Sequence, residues 1–307
     1  MTATIDAATL PHWISARDGL KLFVRCYGAT GSKLPPLLCL AGLTRNSRDF
    51  HDLAMALSRG PEPRTVYAID SRGRGLSEHD RDWRNYTVVT EAQDVIDVSI
   101  ALGIHGASVI GTSRGGILSM VLAAAMPGLL GAVVLNDIGP VIERDGLARI
   151  AGYVGRMPLP ANWPDAARQI GDMSRGHFPH VPMTQWEEAA RAWFNEKDGR
   201  PAPGYDPSIG RAVAATGTKI PPFWPQFEGL GGVPVLVVRG ANSDILSADT
   251  VAEMARRHPN CAALTVAAQG HAPLLKDAAT IGAITRFLSA ADARETVAGR
   301  DFNGRVH

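Results

Sequence analysis

Ser113 stands in Ser108-Val109-Ile110-Gly111-Thr112-Ser113-Arg114-Gly115-Gly116, an apolar strand-like run that ends in Gly-x-Ser-x-Gly and passes straight into the helix-like stretch 117–126. A serine forced into a tight strand-to-helix turn has its hydroxyl exposed at the edge of a sheet, and the small flanking glycines let neighbouring backbone pass close by. That hydroxyl is a poor nucleophile at neutral pH and needs a base beside it. Of nine histidines, His271 in Ala268-Gln269-Gly270-His271-Ala272-Pro273 is the one in a loop just past the last strand-like run and ahead of the final helical pattern. The base in turn needs an acid to fix its tautomer and stabilise its charged form. Two aspartates follow strand-like runs: Asp244, in Gly240-Ala241-Asn242-Ser243-Asp244, and Asp137, in Asn136-Asp137-Ile138-Gly139.

The elements that must hold these groups are legible as alternation. Continuous apolar runs at 37–41, 66–69, 108–110, 132–135, 233–238 and, more weakly, 262–267 suit strands covered on both faces, as in a parallel sheet. Residues 14–19 and 20–27 read as an antiparallel hairpin turning at Asp18-Gly19. Helical patterns fall between the strands at 48–57, 90–102, 117–126, 247–257 and 280–288, with Ser247 as an N-cap and Pro127 ending the helix after Ser113. The result is an α/β fold with a doubly wound, mostly parallel sheet and its active groups at the carboxyl ends of the strands. Residues 139–229 break the rhythm: Pro and Trp are frequent, no buried strand is evident, and helical pieces fall at 142–154, 165–174 and 184–195. This reads as a helical cap inserted after the sixth strand, its aromatics mostly its own core. The chain thus divides into a first core part at 1–138, the cap at 139–229, a second core part at 230–291 and a polar tail at 292–307.

With the Gly111–Gly115 elbow and the order Ser…Asp…His, the chain from about Gly19 to Leu288 resembles the α/β-hydrolases. The resemblance implies Ser113 as nucleophile and His271 as base. It favours Asp244 as the acid, since Asp244 lies in the loop where the family keeps that residue, after the seventh strand. Asp137, at the end of the sixth strand, is the alternative that some members use. It also implies an oxyanion hole of two backbone N–H groups, from Arg114 and from Leu43 in the loop after the third strand. That loop reads Ala41-Gly42 here, where the common pattern is His-Gly, so no histidine braces it. The Asp70-Ser71-Arg72-Gly73-Arg74-Gly75-Leu76-Ser77 stretch lacks the G-x-G-x-x-G of a dinucleotide site and reads as a hydrogen-bonded structural turn. The Arg114 side chain is expected in a salt bridge beneath the cap.

Composition narrows the chemistry. The chain has 307 residues, 31 Lys and Arg against 30 Asp and Glu, and a formal charge of +1, so no basic surplus points to nucleic acid or an anionic membrane. Cys26, Cys39 and Cys261 show no C-x-x-C spacing and suit buried thiols in a reducing compartment. His177 and His180 flank Pro179, which argues against two metal ligands on one helical face. No signal peptide or membrane-spanning run is evident at the sequence level, and a cytoplasmic protein is the expectation. The expected activity is a cofactor-free and metal-free serine hydrolase that cleaves carboxylic esters or lactones of small to medium apolar substrates through an acyl-enzyme on Ser113. Alternatives are the same triad turned to carbon–carbon hydrolysis, acyl transfer or peracid formation, and a slow-turnover small-molecule receptor. Dehalogenases and epoxide hydrolases of this resemblance carry aspartate where Ser113 stands.

Overall fold

A computed structural model of the protein describes residues 9–29, 31–217 and 220–303. Its centre is an eight-stranded sheet in the order β1-β2-β4-β3-β5-β6-β9-β10. The strands are β1 (Thr9–Ser15), β2 (Lys21–Tyr27), β3 (Leu37–Leu40), β4 (Val66–Ile69), β5 (Ala107–Thr112), β6 (Leu130–Asn136), β9 (Val235–Gly240) and β10 (Cys261–Val266). β1 pairs antiparallel with β2 and β2 antiparallel with β4, and every later pairing is parallel. The sheet strands fall where the apolar runs predict, and the hairpin turns at Asp18-Gly19 as expected, but its first strand is Thr9–Ser15 rather than 14–19, because residues 16–20 are spent on the turn.

Successive side chains on a strand face opposite ways, so uninterrupted apolar strands need a layer on each side. Leu37, Cys39, Ile110, Val134 and Val238 pack against α1 (His51–Arg59) and α10 (Ala278–Asn303) through Leu53, Leu57, Ile284 and Leu288. Leu38, Leu40, Val109, Val133 and Val237 pack on the other face. There they meet α2 (Val88–Ala101), α3 (Arg114–Ala125) and α9 (Ala248–Arg257) through Val95, Val98, Leu118 and Met254. Each such fully buried aliphatic side chain stabilises the fold by about 1.5–3 kcal/mol. Ser247 caps α9 by accepting the Thr250 N–H at 3.2 Å.

Between β6 and β9 the chain leaves the sheet and builds α4 (Arg144–Tyr153), α5 (Trp163–Ser174), α6 (Met183–Trp193), the small exposed hairpin β7 (Asn195–Lys197) and β8 (Arg200–Ala202), α7 (Ile209–Thr216) and α8 (Trp224–Glu228). Ala166, Ile170, Phe178, Trp186 and Ala190 form a separate hydrophobic cluster there. α8 falls within the 139–229 span assigned to the cap, yet Phe227 is fully buried in the main core with the residues of α3. Of the polar tail expected at 292–307, α10 takes in the residues through Asn303, and residues 304–307 lie outside the described residues. Among the described residues no helix is long and apolar enough to cross a membrane.

Candidate active site

Ser113 occupies the turn between β5 and α3 with φ +51° and ψ −111°. L-residues avoid this region, and its strain persists only where the surroundings over-determine it. The surroundings here are close backbone contacts. A methyl group on Gly115 would lie 2.0 Å from the Leu40 carbonyl oxygen, and one on Gly111 would lie 2.5 Å from the Gly115 carbonyl carbon. Both glycines are therefore required for α3 to start against β3 and β5. The Ser113 N–H donates to the Asn136 carbonyl at 3.0 Å, pinning the turn to β6.

The Ser113 hydroxyl lies 2.8 Å from His271 Nε2, and His271 Nδ1 lies 2.9 Å from Asp137 Oδ2. Asp137 follows β6 with φ +55° and is fully buried. Its carboxylate accepts the Gly240 N–H at 2.7 Å and the Ser243 hydroxyl at 2.5 Å, so every buried oxygen has donors. With the shared proton on Nδ1, Nε2 is free to take a proton from Ser113. Asn136 ties the same three segments together, donating to Thr112 Oγ1 and to the Pro273 carbonyl, both at 3.0 Å.

Asp244, the acid favoured from the sequence, is not beside His271. Arg149 of α4 donates to it from Nε at 2.6 Å and from Nη2 at 2.8 Å, and the loop of Gly240–Ser243 lends its donors to Asp137 instead. Burial pushes the Asp244 carboxyl up, but the hydrogen bonds and charge of Arg149 outweigh it and hold the group below the usual carboxylate range. The acid on the imidazole is the alternative, Asp137. A strand-end loop can serve a neighbouring carboxylate as readily as carry one, and motif order does not separate the two.

Arg114 opens α3, so its N–H is one of the amides a helix start leaves without an intrahelical partner. Gly42 borders Ser113 closely, a methyl there falling 3.8 Å from Ser113 Cβ. The Gly42 carbonyl accepts the Arg45 N–H at 3.1 Å, which turns the Leu43 N–H to the opposite side of that trans peptide. The bracing that a histidine would give this loop comes from Arg74, almost fully buried, whose Nε donates to the Leu43 carbonyl at 2.8 Å. Arg74 Nη1 also reaches Glu91 Oε1 at 2.8 Å, and Arg114 Nε reaches Glu91 Oε2 at 2.8 Å. One buried carboxylate thus holds both arginines. Burial raises the Glu91 carboxyl, but the Arg114 and Arg74 charges overcome this and keep it below its ordinary value. The expected Arg114 salt bridge is this one. Composition and motif gave no sign of Glu91, which sits in the first turn of α2.

Above the serine lie two adjoining chambers of about 110 and 200 Å3. Ser113, Gly42, Leu43 and Thr112 line the inner one, and His271, Arg45, Tyr153 and Trp193 border both. The outer chamber is walled by cap residues such as Leu159, Ile170, Phe178 and Trp186, with Arg149 and His177 among them. The cap aromatics therefore serve both as cap core and as cavity wall. Burial pushes the Cys26 thiol up to about 11 and the Cys39 thiol higher still, so neither supplies a thiolate near neutrality.

A family model for the alpha/beta hydrolase fold matches residues 35–278. The chain is 32% identical over 267 residues to the 3-hydroxybutyrate-oligomer hydrolase of Cupriavidus necator, covering 83% of this chain and 88% of that protein. It is 28% identical over 280 residues to the 2-(acetamidomethylene)succinate hydrolase of Mesorhizobium japonicum, covering 91% and 96%. A crystal structure of an alpha/beta hydrolase from Novosphingobium aromaticivorans superposes with a TM-score of 0.85 at 39% identity, over 92% of this chain and 99% of that one. These relatives are hydrolases, and the sheet order, the elbow and the family match all lead to one assignment: the chain is a member of the α/β-hydrolase fold family.

Proposed function

We propose that the protein is a serine hydrolase that cleaves carboxylic esters through an acyl-enzyme on Ser113. The observation that carries this is the unbroken hydrogen-bond relay Ser113–His271–Asp137 at the floor of a cap-covered cavity. His271 takes the Ser113 proton as Oγ adds to the ester carbonyl, and the amides of Leu43 and Arg114 receive the oxyanion. The imidazolium returns the proton to the leaving alcohol. Water then enters, gives a proton to His271 and adds to the acyl carbonyl, and collapse frees the acid and regenerates Ser113. Asp137 stays ionised throughout and stabilises the imidazolium. A relative named for hydrolysing 3-hydroxybutyrate oligomers, which are esters, supports that bond type over a lactone or carbon–carbon bond.

The test is a burst assay with p-nitrophenyl acetate and butyrate. Wild-type protein should turn both over, and Ser113→Ala should lose turnover to background. Activity that survives in Ser113→Ala would remove the serine from the chemistry.

A further inference from the structure

Composition gives no reason to expect charge in the cavity, yet arginines stand in its wall. Arg45 borders both chambers and Arg149 the outer one. Each is anchored by an aspartate along the same side of its guanidinium. Arg149 uses Nε and Nη2 on Asp244, and Arg45 has Nη2 at 2.8 Å from Asp49 Oδ1 and Nε at 2.8 Å from Asp49 Oδ2. That grip leaves the outer edge of each guanidinium, Nη1 and the second Nη2 hydrogen, uncommitted to its aspartate. The Arg45 guanidinium also lies 3.2 Å from the Trp193 ring centre, which fixes its plane. Tyr153 is in hydrogen-bond reach of Arg149 and in electrostatic reach of Arg45. Its hydroxyl is held in the neutral, donating form by burial.

The charge balance of the lining runs the same way. Arg45, Arg48, Arg149 and Lys276 face the two chambers. Arg45 is paired with Asp49, Arg149 with Asp244 and Lys276 with Asp52 and Glu188. Of these carboxylates Asp49 alone is among the described lining residues, the others gripping their cations from behind the wall. Arg48 spends its side-chain hydrogen bonds on the Ala192 and Phe194 carbonyls and the Asn195 amide oxygen, all neutral acceptors. An apolar alcohol or acyl tail gains nothing from such groups, whereas a carboxylate pairs with a planar guanidinium edge in two parallel, charge-assisted hydrogen bonds.

We infer that the outer chamber is a carboxylate subsite, and that the substrate is an ester that also carries a free carboxylate, read by Arg149, Arg45 and Tyr153. The inference deepens the ester-hydrolase reading and rests on it. His271 borders both chambers, so an ester carbonyl held against Ser113 in the inner chamber leaves the remainder of the molecule to run past the imidazole into the outer one. Asp244, no partner of His271, gains a role here as the group that presets Arg149.

Two measurements test this. The first compares kcat/KM for p-nitrophenyl hydrogen adipate and for its methyl ester, p-nitrophenyl methyl adipate, at low and high NaCl. The second compares calorimetric binding of monomethyl adipate and dimethyl adipate to Ser113→Ala, which cannot consume them. The free acid should be preferred at least about tenfold in both, as one charge-assisted pair is worth. The preference should shrink in salt and should fall at least tenfold in Arg149→Met and in Arg45→Met. Arg149→Lys, which keeps the charge and loses the fork, should retain part of it. Equal or undetectable binding of the two adipates, or a preference undiminished in both methionine variants, would overturn the subsite. Failure of wild-type protein to turn over either ester would sink the hydrolase reading instead, and the calorimetric comparison would still decide the subsite.

Discussion

His271 has two aspartates within a loop's reach, and the donors around each carboxylate decide which one serves it. Asp137 takes Gly240 N–H and Ser243 O–H and still faces Nδ1, whereas both oxygens of Asp244 are occupied by Arg149. Asp137→Asn should therefore lower kcat on p-nitrophenyl butyrate by about 10^4-fold, the order expected when the acid of such a triad becomes an amide. Asp244→Asn should cost kcat less than about tenfold, and equal losses in the two variants would contradict the pairing. Ser113 and His271 were legible in sequence because each is marked by its own local context, an elbow and a post-strand loop. The acid was not, because Asp137 and Asp244 both follow strands that lie side by side in the sheet, β6 and β9. Nothing in chain order says which of two neighbouring strand ends leans toward the imidazole. Arg45 and Arg149 were invisible for a related reason: an arginine in a loop or on a helix reads as solvated surface until the fold shows what it lines.

At the scale of elements, α2 reaches the site through one side chain. Glu91 is buried with Arg74 and Arg114, and these touch the Leu43 carbonyl and open α3. Breaking a buried ion cluster by removing one partner leaves uncompensated charge, so Glu91→Gln should destabilise the fold by about 3–5 kcal/mol, measured by urea unfolding. Arg74→Met should lower kcat at least tenfold with little change in KM, because the Leu43 peptide loses its orienting donor while the cavity wall is kept. A rise in KM at constant kcat would place Arg74 in substrate binding instead. The sheet itself was readable since buried parallel strands are apolar throughout. The bounds of α2 and α3 shifted by a few residues from their periodic patterns, as Thr87 caps α2 and the elbow itself starts α3.

At the scale of the molecule, the cap is laced to the sheet edge by the turn that follows β4. The Gly75 N–H donates to the Gly204 carbonyl, the Asp206 N–H to the Gly73 carbonyl, and the Tyr86 hydroxyl to Asp206 Oδ2 at 2.6 Å. Burial raises the Asp206 carboxyl, but Ser208 and Tyr86 donate to it and hold it below its usual value. A depressed folded-state value means that this stabilisation is complete above the ordinary carboxylate range, about pH 3.9, and is lost as pH falls through the lower folded value. The Tm difference between wild type and Asp206→Asn should therefore be widest above about pH 4 and close below it. A gap independent of pH from 3 to 7 would contradict the linkage. The turn's glycines and buried arginines announced a structural role in the sequence; its grip on the cap could not be read there, because Gly204 and Asp206 sit in a stretch with no periodic pattern.

The insertion also enters and leaves through a narrow neck, where the Phe223 N–H donates to the Pro140 carbonyl at 2.7 Å. Chain closed at its base in this way costs entropy only as the logarithm of its length, so residues can be gained or lost beyond the neck at small thermodynamic penalty. Ser113, Asp137 and His271 all lie outside that closed loop. The ties a different segment would have to replace include those of Gly204, Asp206 and Arg149 to the core, and none of these is a bond of the relay itself. Exchange of the whole stretch between Pro140 and Phe223 for a different one is a change of lock that leaves the bolt in place.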